Sequence, residues 1–202
     1  MRLHRRALRA VRGRAEVIPL VVHLTLPPWV HDAVDGEAVF PDDAARVALA
    51  VRLARLNVEH RTGGPFGAAV FTEAGRLVAV GVNRVVPIQC SVAHAEMMAL
   101  MLAQQRLQRF RLNQDGGRFT LATSAQPCCQ CYGACVWAGI DRLLIGARAE
   151  DVHALTEFDE GPLPADWIGE LERRGIAVVR DVEREAARAV LATYRASGGV
   201  RY

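Results

Sequence analysis

The 202-residue chain contains no lysine: all 25 of its basic residues are arginine. That bias fits a genome-wide preference for arginine and alanine and carries no functional weight. Internal repeats, low-complexity blocks and heptad runs are also missing, which excludes solenoids and coiled coils. No apolar run approaches the ~20 residues that a membrane-spanning helix needs. One stretch has a superficial leader shape: arginine-rich residues followed by Val17-Ile18-Pro19-Leu20-Val21-Val22-His23-Leu24. Glu16, Pro19 and His23 interrupt it, and no small-x-small cleavage site follows. The expectation is a cytoplasmic protein with no membrane segment.

A basic folded body is lacking too. The net charge is +3, but residues 1–14 carry six arginines and no acid, which leaves 19 arginines against 22 acids and a body of about −3. Polynucleotide binders keep their positive charge on the folded domain as a patch. No nucleic-acid partner is therefore expected. Residues 1–25 read as a poorly ordered tail or an overlong start, and 26–202 as one domain. A chain of this size buries enough apolar surface to fold without disulfides.

What is present is an alternation of helices and strands. Asp42-Asp43 opens a helix whose apolar residues recur at helical spacing to about residue 60. Phe66–Phe71 and Arg76–Val82 read as a hairpin around Glu73-Ala74-Gly75. Helix 92–107, strand Phe119–Thr123, a turn at Ser124–Pro127, helix Cys128–Ile140 and strand Arg142–Ile145 follow. A short helix at 148–155, an acidic loop Glu157–Pro164, a strand near Ala177–Arg180 and a helix Val182–Ala196 complete the order. Helices alternating with strands after an initial hairpin imply an α/β fold, a three-layer α/β/α sandwich on a central mixed five-stranded sheet.

The five cysteines are Cys90, Cys128, Cys129, Cys131 and Cys135, four of them within eight residues. Disulfide frameworks spread their cysteines; tight clustering points to metal or redox chemistry. Cys128 and Cys131 are three apart and share one face of a helix. His94 supplies a third ligand, 34 residues before Cys128. Three protein ligands leave the fourth tetrahedral position of a zinc ion open to water, as in a catalytic site. Glu96 then stands two residues from a ligand, where a carboxylate can move a proton between the attacking water and a leaving amine. His94-Ala95-Glu96 with Pro127-Cys128-Cys129-Gln130-Cys131 makes H-x-E…P-C-x-x-C, the signature of zinc deaminases.

Five stretches carry a wider resemblance: Gly63-Gly64-Pro65-Phe66, Gly81 to Pro87, Ala93 to Glu96, Phe158-Asp159-Glu160-Gly161-Pro162, and the end Gly198 to Tyr202. With them the chain resembles bacterial guanine deaminases of the cytidine-deaminase-like superfamily, in particular a subgroup acting on guanine and on ammeline, an aminotriazine. The resemblance implies that Asn83 hydrogen-bonds the base, that Phe66 packs on its ring, and that Ala95 belongs to the substrate-binding set. It implies that Glu160 or its neighbour Asp159 touches the reacting amino group and shuttles protons. It implies a homodimer in which the C-terminal segment, ending in Tyr202, closes a site, its own or its partner's.

Gln126 departs from that pattern, since the family usually has Glu there. Cys129 is expected to pack inward, and Met97, Tyr132 and Trp137 to belong to the core. Two other functions share the motif: a transfer-RNA adenosine deaminase, which would need a basic surface, and a non-catalytic zinc-binding scaffold, which would have no need of Glu96.

Overall fold

A computed structural model of the chain describes residues 18–201, so the expectations for residues 1–17 and for Tyr202 lie outside the described residues. A one-turn helix α1 (Val30–Ala33) precedes α2 (Asp43–Glu59), which Asp42 caps by accepting the amide of Ala45 at 2.8 Å. The hairpin is β1 (Gly67–Thr72) and β2 (Leu77–Val82), followed by α3 (Ala95–Leu107), β3 (Phe119–Ala125) and α4 (Cys129–Ala138). Then come β4 (Arg142–Ala147), α5 (Ala149–Thr156), α6 (Trp167–Glu172), β5 (Ala177–Val179) and α7 (Arg184–Ala196).

The five strands form one mixed sheet in the order β2-β1-β3-β4-β5. β1 is antiparallel to both β2 and β3, while β3, β4 and β5 are parallel. Two strands antiparallel to the same neighbour run the same way, so β2 and β3 end at one edge of the sheet. Helix α3 follows β2 and α4 follows β3, and both therefore begin at that edge. This topology, rather than any local pattern, brings His94 next to Cys128.

The strands alternate with period two between the faces. Ala69 and Phe71 of β1 pack into the layer of α2, α5 and α7, and Ala68 and Val70 into the layer of α3, α4 and α6. At the site the layers come unusually close. A Cβ at Gly81 would lie 2.0 Å from the carbonyl oxygen of Ala95, so only glycine lets the first turn of α3 rest on β2.

Several sequence-based expectations are corrected. α3 begins at Ala95, not 92, and α4 at Cys129, so His94 and Cys128 are N-cap residues with extended backbone rather than residues inside the helices. α6 was not expected; it has six residues, and Gly169 obscures its pattern. Cys129 does not pack inward but is exposed, its Sγ lying against the loop at Gly161 instead of in the core. Trp137 is 80% exposed instead of in the core, while Met97 and Tyr132 are half-buried. Among the described residues no helix is long and apolar enough to cross a membrane.

Candidate active site

The N-termini of α3 and α4 converge at the sheet edge. His94 Nδ1 lies 3.4 Å from Cys128 Sγ and 3.7 Å from Cys131 Sγ, and the three ligand atoms all fall within 4.8 Å of one another. A tetrahedral zinc ion with Zn–N of about 2.0 Å and Zn–S of about 2.3 Å would set each N···S separation near ~3.6 Å. The grouping thus fits zinc. Cys128 and Cys131 are buried and His94 half-buried, so the ligands leave only one side open.

The charges of this cluster are strongly coupled. The hydrogen bond between the two cysteine side chains pulls Cys128 down to about 4 and, with burial, pushes Cys131 up; zinc requires both as thiolates. Burial of the His94 ring opposes its protonation, but the hydrogen bond with Cys128 and the charges of Glu96, Cys128 and Glu160 outweigh it and raise His94. Glu96 is pushed up to about 7 by burial first and by the Cys128 charge second. Glu160 goes up to about 8, again by burial first, then by Cys128 and Glu96. Two carboxyl groups poised near neutral pH suit proton transfer in both directions.

His94, Glu96, Cys128 and Glu160 line one cavity of about 250 Å³, together with Phe66, Asn83, Val85, Ser91, Gln126, Phe158 and Asp159, while Cys131 lies behind it, fully buried. Drug-sized ligands occupy sites of about 300–1,000 Å³, so this one suits something smaller. One wall is aromatic: the Phe66 and Phe158 rings are 5.6 Å apart and tilted by 54°. Asn83 is buried beyond the end of β2, where its Oδ1 accepts the amides of Gly64 and Val85, each at 3.3 Å. Those bonds anchor the β2 exit and leave its Nδ2 for the cavity.

The remaining sequence candidates fall at different depths. Ala95 is fully buried with its carbonyl over Gly81, and it is not among the lining residues. Asp159 is exposed at the rim; Glu160 is half-buried, with its carboxyl as the buried end. Gln126 is buried, and its Oε1 meets the amide of Ala149 at the start of α5 at 3.5 Å. Sequence reasoning missed Ser91, Val85 and the wall role of Phe158. Phe158 and Val85 had a signal, their places in the Phe158 to Pro162 and Gly81 to Pro87 stretches; Ser91 had none.

Three ligands at an open metal site with a buried carboxylate beside them define a zinc-dependent hydrolytic centre on an α/β sandwich. Residues 41–147 match the cytidine and deoxycytidylate deaminase zinc-binding region, and the chain belongs to that family. It is 36% identical to the guanine deaminase of Bacillus subtilis over 111 residues, 55% of this chain and 67% of that protein. The solved structure of guanine deaminase from Nitrosomonas europaea aligns with a TM-score of 0.83 at 44% identity, covering 90% of this chain and 100% of the other. A structure solved in complex with 2,6-diaminopurine aligns with a TM-score of 0.85 at 46% identity, covering 90% and 96%.

Proposed function

We propose that this protein hydrolyses the exocyclic amino group from a free nitrogen heterocycle, converting guanine to xanthine and ammonia, with an aminotriazine such as ammeline as a further substrate. The observation that carries the reading is the buried Glu96 carboxyl sharing one small cavity with His94 and Cys128, two of the three clustered metal-ligating side chains. Similarity to two guanine deaminases over most of the fold supports guanine as the base.

His94, Cys128 and Cys131 would hold the zinc, which would make a water acidic enough to lose a proton near neutral pH. Glu96 accepts one proton of the attacking water as its oxygen bonds to the amino-bearing carbon, and passes that proton to the adjacent ring nitrogen. The water's second proton goes to the amino group, so that the C–N bond breaks, the carbonyl forms and ammonia leaves. Glu160 serves the leaving amine from the opposite rim. Asn83 Nδ2 donates to a ring acceptor, and Phe66 and Phe158 fix the ring plane.

A transfer-RNA substrate is disfavoured because beyond residue 14 the chain carries 22 acids against 19 arginines, with Asp159 exposed at the cavity mouth. We further read the protein as a cytoplasmic homodimer. Free cysteines suit a reducing compartment. The face of α3 and α4 leaves Phe110 84% and Trp137 80% exposed beside Met97 and Met101, apolar surface that a second copy would cover. Light scattering on purified protein tests the dimer. A panel of aminated heterocycles and transfer RNA, followed by ammonia and inosine formation, tests the activity. Inosine without ammonia from guanine would reverse the reading.

A further inference from the structure

Asp159 and Glu160 are neighbours in the same loop, and both reach the cavity. Their bonding differs sharply. Asp159 Oδ1 accepts the backbone amide of Gly161 at 2.9 Å, a local turn closed by a side chain. The Glu160 side chain makes no hydrogen bond among the described residues, but its backbone carbonyl accepts the amide of Cys129 at 2.8 Å. Gly161 itself has φ +69, a left-handed conformation, and a Cβ there would fall 2.6 Å from Cys129 Sγ. The loop is thus fastened to the first turn of α4 by one hydrogen bond and one close contact, at the Glu160 carbonyl and at Gly161, immediately after the Glu160 side chain.

We propose that Asp159 is a positioning residue: it closes the turn at Gly161 and, with the Cys129 contact, holds the backbone so that Glu160 alone meets the reacting amine. This deepens the functional reading above and rests on it. The exposed Cys129, which no metal needs, gains a purpose as the surface on which the loop is seated. An Asp whose carboxylate is occupied by Gly161 N–H has no call on its charge; it needs only an oxygen acceptor at that place.

The test follows from that distinction. In the zinc-loaded enzyme, Asp159→Asn keeps an acceptor and is expected to hold kcat for guanine within about twofold, with an unchanged pH–rate profile. Asp159→Ala loses the acceptor, and kcat is expected to fall at least ~10-fold while zinc content stays constant. If the Asn variant falls as far as the Ala variant, Asp159 moves a proton and the proposal is wrong. Gly161→Ala should lower kcat more in the native background than in a Cys129→Ala background, where the sulfur is gone; equal losses would remove the contact from the argument. Hydrogen exchange at the Gly161 amide gives a readout independent of turnover. It should quicken in Asp159→Ala and not in Asp159→Asn, and no difference between the two would sink the capping role. Failure of the wild type on the whole heterocycle panel would defeat the functional reading while leaving that exchange result to judge the turn.

Discussion

His94, Glu96, Cys128 and Cys131 stand at the starts of two helices that leave a buried sheet, whereas Asp159, Glu160 and the C-terminal residues stand on connecting chain. The metal end is held by strand register and by helix α3 lying on Gly81, contacts that cannot shift without moving the core. The rim is held by single hydrogen bonds and exposed ion pairs: Cys129 to Glu160, Gly161 to Asp159, and Glu157 with Arg195 and Arg201. One half is built to stay and the other to be adjusted. Chemistry common to a family belongs in the first, and choice among substrates in the second, apart from the Glu160 carboxyl, which serves the reaction from the rim. Changes at the metal end should therefore abolish, and changes at the rim should tune.

The sharpest break of that contrast is loss of a ligand. Cys131→Ala is expected to remove most of the zinc and, with it, all measurable turnover, as metal analysis of purified protein would show. Full occupancy in this variant would mean the ligand set is misassigned. Next comes Glu96→Gln, which keeps shape and removes the transferable proton. Zinc content should be unchanged while kcat falls by ~10² to 10⁴-fold, the range for a general acid–base group. Turnover near the native rate would take Glu96 out of the mechanism.

The same contrast governs what could be read without coordinates. The H-x-E and P-C-x-x-C stretches are visible because metal chemistry demands particular side chains at fixed spacing, and the strand–helix order is visible because burial imposes periodicity. The starts of α3 and α4 are not legible, because Val92-Ala93 and Cys128 have no property that forbids helix. Only the extended backbone at His94 and Cys128 reveals them as caps. Helical angles alone could not orient Cys129, since a neighbour at 100° turns outward or inward according to where the sheet lies. Trp137 followed hydrophobicity into an expected core but sits on an open face. The work of Asp159 depends on a positive φ at Gly161, which no composition rule exposes.

A smaller effect is expected where the rim meets its foundation, the pairing of α5 with α7. The Arg184 guanidinium hydrogen-bonds Asp151 and, against the cost of burial, holds that carboxyl down to about 2; the Arg148 amide and Arg188 add to it. A lowered carboxyl pKa stabilises the fold above its unfolded value, and that contribution is lost as pH falls through the folded value. Asp151→Asn should thus cost about 2 kcal/mol in denaturant unfolding at pH 7. The gap to wild type should narrow below the ordinary value of 3.8 and close near pH 2. A gap independent of pH would show that Asp151 acts through packing or the helix cap instead of its charge.

The smallest expected effect is at the C-terminus, where the rim hypothesis is most exposed. After α7 the chain turns back on itself: Tyr194 Oη donates to the carbonyl of Val200 at 2.7 Å, and Arg201 pairs with Glu157 at 3.4 Å. The Tyr194 ring also stacks on Phe158, with centroids 6.2 Å apart, and Phe158 in turn meets Phe66 on the cavity wall. An exposed ion pair such as Arg201 with Glu157 contributes little, so the hydroxyl and the ring carry the hold. If the segment closes the site, its loss admits water and weakens the contacts that steady the transition state. Deleting Gly199 to Tyr202 should leave zinc content and melting temperature nearly unchanged while kcat/KM for guanine falls at least ~10-fold, about 1.4 kcal/mol. Tyr194→Phe keeps the ring against Phe158 and loses only the bond to Val200, so its fall should be smaller than that of the deletion. A deletion without effect would mean that nothing is closed by this segment. A Tyr194→Phe loss larger than the deletion's would mean that the tyrosine acts on the aromatic wall directly and the terminal residues merely rest on it.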